Sequence, residues 1–162
     1  MNATRRCLRY HATEAVASST AIRVVVPDGR LHARLDRRVT GTGRTRWDWR
    51  GGGLNDFSIE VEPGGAFLLT GPVGIPFGRI RYRGTLQPRL TAQDAERARF
   101  VIDLDGRIRS CHGLHRGLGH ITAVSPMELA VGIDVTTDET LTTLLVAAPL
   151  CLAVTSSQAD RS

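Results

Sequence analysis

Lysine is missing from this chain: all 21 basic residues are arginine. They outnumber the 16 acidic residues and leave a net charge of +5. Arginine without lysine is what GC-rich coding produces. A nucleic-acid surface would instead cluster basic residues on one face or one helix. Here they are spread over many segments and interleaved with Asp and Glu. Aromatic residues are scarce as well, at 5%, too few for the stacking platforms that hold single strands. Nucleic acid is therefore not expected as a partner.

Cysteine is sparse. Cys7, Cys111 and Cys151 make an odd set with no close pair, which excludes a disulfide framework. Long apolar runs are missing too. The longest, residues 144–154, is too short to span a bilayer and contains Pro149. Residues 1–20 mix Arg, His, Glu and Ser and do not read as a leader. These absences predict a cytoplasmic protein with no membrane partner. Reaction motifs are also wanting: there is no Gly-x-Ser-x-Gly elbow, phosphate loop or dinucleotide fingerprint.

What is present is alternation. Residues 45–50, 57–62 and 78–86 alternate apolar and polar at a period of two, the signature of strands with one dry face. Trp47, Trp49, Phe57, Ile59, Val61, Ile80 and Tyr82 take the dry side, and Arg46, Asp48, Glu60, Glu62, Arg79, Arg81 and Arg83 the wet one. Arg79, Arg81 and Arg83 are placed to face Glu60 and Glu62 across the sheet. Residues 22–26 and 31–39 read as a hairpin around Pro27-Asp28-Gly29, and residues 99–104 and 107–111 as another around Asp105-Gly106. Residues 121–125 and 127–135 are further strands, and 144–155 reads as the strand that closes the sheet. Thr91-Ala92-Gln93-Asp94 resembles a helix cap, predicting a short helix over 92–97. Residues 136–143 fit either a capped short helix or a hairpin loop.

Such regular spacing of short strands predicts an all-β domain over 21–155. A partly disordered N-terminal arm precedes it over 1–20, and a C-terminal tail follows over 156–162. With no amphipathic helix to cover a flat sheet, the sheet must close or fold in two. The expected fold is a single antiparallel β-barrel of about 8–10 strands with an apolar lumen and at most two or three short helices, a sandwich being the alternative.

A barrel of that kind holds one small ligand in its lumen. Trp47, Trp49, Phe57, Phe67, Tyr82, Phe100 and Met127 are the candidate lining, and plain core packing is the alternative reading of each. Amphipathic rings suit a pocket that is apolar yet fixes an orientation, and the Tyr82 hydroxyl is the candidate catalytic anchor. Cys111, His112, His115 and His120 are residue types a transition metal would choose. Their spacing matches no zinc signature and Arg116 repels a cation, so no metal and no cofactor is expected. Asp103 and Asp105 read as outward residues.

An Arg-rich, Lys-free chain with this strand pattern and an aromatic apolar lumen resembles the small β-barrel cyclases of bacterial polyketide pathways. These include the spirotetronate-type Diels–Alderases, which are broadly similar in shape to allene oxide cyclases. The resemblance covers 21–155 and is one of profile, carried by no motif. It implies a cofactor-independent cyclase or isomerase that bends a long apolar precursor inside the barrel by orientation and exclusion of water. The expected partner is a small apolar molecule, with a homodimer allowed. The alternative is a non-catalytic, lipocalin-like carrier of a small apolar ligand. A third reading is a barrel with a filled core.

Overall fold

The computed structural model describes residues 5–83, 89–112 and 116–159, with side chains through 157. The chain forms β1 (Arg5–Ala12), β2 (Ala21–Val25), β3 (Leu31–Val39), β4 (Thr45–Gly51), β5 (Phe57–Val61) and β6 (Phe67–Thr70). It continues through β7 (Pro76–Arg83), β8 (Arg89–Asp94), β9 (Ala98–Asp103), β10 (Arg107–Ser110), β11 (Gly117–Ser125) and β12 (Glu128–Asp134). One helix, α1 (Glu139–Ala159), follows. Each strand runs antiparallel to the next, and β12 returns to pair with β1, closing a twelve-stranded up-and-down barrel. The expected all-β, single-barrel fold is thus present, with more strands than expected and one long helix in place of short ones.

Alternation builds the wall. Leu8, Tyr10, Ile22, Val24, Leu35, Trp47, Trp49, Ile59, Ile80, Phe100 and Ile102 are buried inward at every second position. Charged residues alternate with them outside, where Arg79 reaches across β6 to Glu62 at 2.8 Å, while Glu60, expected to face the same arginines, pairs with Arg44. Arg38 and Arg46 both pair with Asp48. Tight turns set the corners. Gly106 has φ +98°, and a β-carbon there would run into the Ile121 carbonyl, so only glycine fits that corner.

The lumen is filled, and this corrects the expectation of an open one. Barrel width grows with strand number, and about eight strands leave room only for side chains. Twelve enclose a helix. Residues 144–154, expected as a closing strand, are the middle of α1, and apart from a half-buried Ala153 every one of them is buried. A helix that is apolar all round is one surrounded on all sides. By length and composition it could also cross a membrane, but here its sides face the inner wall. Its start is fixed by Asp138, whose carboxylate accepts from the Leu141 N–H at 3.1 Å. Asp138 also takes a bond from Arg99 on β9, which at its other end holds Asp94 at 2.7 Å. Gly78 lets the helix approach β7: a β-carbon there would lie 2.9 Å from Leu144 Cδ2.

Other boundaries move as well. The arm expected over 1–20 contains β1, held between β12 and β2 by backbone pairing and by burial of Leu8 and Tyr10. The helix expected over 92–97 is the end of β8 and a turn. Asp94 accepts there from the N–H groups of Glu96 and Arg97, and the same bonds that cap a helix can close a turn. The tail expected from 156 begins inside α1, which runs to Ala159. Residues 84–86 of the expected strand 78–86 lie outside the described residues.

Candidate functional site

Antiparallel connectivity divides the turns between two rims. The connection 13–20, the β3–β4, β5–β6, β9–β10 and β11–β12 turns and the last turns of α1 share one rim, here the exit rim. The start of α1 and the β4–β5 and β6–β7 loops share the opposite one. A cleft of about 580 Å³ opens at the exit rim. Its apolar surface comes from Val16, Leu104, Ile121, Leu129, Pro149 and Leu152. Asp105, His120, Thr122, Ser125, Ser156 and Ser157 are its polar members. Four of these are already engaged: Asp105 accepts from the Arg107 N–H at 3.0 Å, a His120 ring nitrogen meets the Thr122 hydroxyl at 3.1 Å, and the Ser125 hydroxyl oxygen accepts from the Met127 N–H at 3.2 Å.

A second recess of about 230 Å³ opens at the same rim, lined by Ala17, Ser18, Arg37, Thr45, Trp47, Val61, Val154 and Ser157. Ala17 and Ser157 line both spaces. Arg37 and Trp47 are register partners on β3 and β4, and Arg37 Cζ sits 5.8 Å from the centre of the Trp47 ring. Arg37 shares the inward parity of Ala33 and Leu35, an uncommon position for a cation.

The expected lining residues divide into two groups. Trp47, Trp49, Phe57, Phe67 and Phe100 do face inward, but they pack in one cluster with the α1 residues. Trp49 stacks on Phe57 at 5.6 Å, Phe57 meets Phe77 edge-on at 6.3 Å, and Tyr10 reaches Trp49 at 6.4 Å. Tyr82 and Met127 are corrections. Tyr82 keeps the inward parity of Ile80 but lies near the end of β7, 51% exposed, and lines neither recess. Met127 sits in the β11–β12 turn, 48% exposed. Depth in the barrel, which alternation does not encode, separates these two from the rest.

Asp103 faces Arg109 at 3.1 Å and Arg89 at 3.7 Å, as an outer-wall ion pair. In the 111–120 segment, His115 lies outside the described residues. Among the described residues no three His, Cys, Asp or Glu side chains group around a common point. Burial raises the Cys111 thiol pKa, and the fully buried Cys151 more strongly, so neither is activated as a nucleophile. Sequence reasoning missed Arg37 and Val16. The signal for Arg37 was available, since it stands in step with Leu31, Ala33, Leu35 and Val39.

No protein-family model, curated protein or solved structure matches this chain. Fold and site define the class by themselves: a helix-filled, twelve-stranded antiparallel barrel with an apolar cleft at the rim where the helix leaves.

Proposed function

We propose that this protein is a non-catalytic binder of a small apolar molecule, held in the exit-rim cleft rather than in the lumen. The observation that carries the reading is the cleft itself. Its volume of about 580 Å³ falls within the range of small-molecule sites, which are concave and mostly apolar with a few polar groups. The buried aromatic rings of the lumen pack with α1 in one cluster, and two other recesses, of about 230 and 180 Å³, are smaller. A cyclase would have to bend its substrate in the same cleft, and no residue there favours chemistry over binding alone.

The test is titration with Nile red, a neutral dye that brightens in apolar surroundings. Wild type should bind it saturably at one site. Ala123→Trp places a large ring on an exposed cleft-lining position and should abolish that binding while leaving the melting temperature nearly unchanged. Absence of saturable binding, or equal binding by the variant, would remove the reading.

A further inference from the structure

Two residues that line the recess beside the cleft, Arg37 and Trp47, each carry a buried N–H with nothing to donate to. Trp47 is 1% exposed, and its Nε1–H has no acceptor. Arg37 Nε–H is likewise buried and unpaired. Buried donors are nearly always satisfied, and each exception calls for a reason. Trp49 shows what satisfaction looks like: its Nε1–H donates to the Gly51 carbonyl at 2.9 Å.

Charge makes the same point. Among the described residues no carboxylate pairs with Arg37. One of its terminal nitrogens donates to the Ser18 carbonyl at 2.8 Å, and its backbone N–H to the Thr20 carbonyl at 2.8 Å. The first bond holds the guanidinium and the second its backbone, and neither neutralises the charge. Asp36, next to it in sequence, and Asp48, the register partner of Asp36 on β4, point to the outer wall and are taken by Arg34, Arg38 and Arg46. No Asp or Glu lines the recess. The carbonyl end of α1 lies at this rim, but a helix terminus offers only roughly half a unit of negative charge.

We infer that the Arg37–Trp47 recess receives the carboxylate of an amphipathic ligand whose apolar body lies in the neighbouring cleft. This rests on the cleft being a binding site and adds the ligand's chemical class, a monocarboxylate with an alkyl or similarly apolar tail. Arg37 supplies charge and one N–H, Trp47 supplies the second N–H, and the shared residues Ala17 and Ser157 mark where head and tail regions meet. A neutral alcohol of the same length fills the cleft equally well but answers only one donor and no charge.

The experiment compares decanoate with decan-1-ol, each displacing Nile red from the wild type at neutral pH. Decanoate should bind at least about tenfold tighter, the scale of hydrogen bonds to a charged group. Arg37→Met, which keeps the length without the charge, should reduce that preference to within about twofold. A second readout needs no Arg37 variant. With two tryptophans in the chain, a ¹⁵N spectrum shows two indole N–H signals, assigned by Trp47→Phe. Decanoate should move the Trp47 signal downfield and leave that of Trp49 in place. Equal affinity for acid and alcohol, or a Trp47 signal that does not move, overturns this inference and leaves the binding reading standing. Failure of both ligands to bind overturns the two together.

Discussion

The Tyr10 hydroxyl donates to the Val146 carbonyl at 2.6 Å. It ties the inner face of β1 to the axis of the barrel, as a second bond on a carbonyl that the helix already pairs with the Leu150 N–H. The turn is one that Pro149 weakens, since it has no N–H for the adjacent Leu145 carbonyl. Tyr10 and Val146 are both fully buried. Tyr10→Phe should therefore cost about 1–3 kcal/mol, because it leaves a buried carbonyl with less than its share of partners. Urea unfolding measures this, and a loss below a few tenths would show the bond to be dispensable. Burial, followed by the nearby Cys151, pushes the Tyr10 pKa far above its usual 10.0. The neutral hydroxyl is the form the fold favours. Its contribution is fully present below the unfolded value and is lost as pH rises above it. In an alkaline absorbance titration Tyr10 should stay silent until the protein unfolds.

Gly78 and Leu144 are matched across the wall. A β-carbon at Gly78 would meet Leu144 Cδ2 at 2.9 Å and the Gln93 carbonyl at 3.2 Å. Gly78→Ala should destabilise by about 1–3 kcal/mol through overpacking, and Leu144→Ala by about 2–5 kcal/mol through the cavity it leaves. The double variant should lose less than the sum, since the new methyl group enters space the leucine gave up. Strict additivity in chemical denaturation would mean that α1 does not press on β7 at this point.

Acid should loosen the start of α1. Burial alone would raise the Asp94 pKa, but hydrogen bonds from Arg99 and from the N–H groups of Glu96 and Arg97 outweigh it and bring it to about 2. Asp138 is lowered too, by Arg99 first and then by the Leu141 N–H. A depressed carboxyl contributes stability that is complete above its unfolded value and lost as pH falls through the folded one. The unfolding free energy should thus drop between about pH 4 and pH 2, and Arg99→Gln should flatten that slope. An unchanged slope in the variant would detach the Arg99 cluster from acid stability.

The wall was legible because the alternation of residues such as Trp47 and Trp49, or Ile80 between Arg79 and Arg81, states which face is dry. The content of the lumen was not. Residues 144–154 carry no period, and a short unbroken apolar run reads equally as a buried strand or as a helix enclosed on all sides. Strand β1 was hidden by the charges of Arg5, Arg6, Arg9 and His11, which leave Leu8 and Tyr10 as its only large apolar pair. The two tryptophans look equivalent in sequence. What distinguishes them is a single carbonyl, that of Gly51, which reaches one indole and not the other.

The helix at the centre of the barrel comes after all twelve strands in the chain. On the ribosome the staves are therefore made before the core they enclose. Until residues 139–159 emerge, the inward rings of β4, β5 and β9 have only one another to rest on. A ring completed early by β1 and β12 would shut the helix out. Synthesis from the N-terminus thus sets an order for assembly: the β1–β12 seam has to wait, or reopen, for a helix made after every strand.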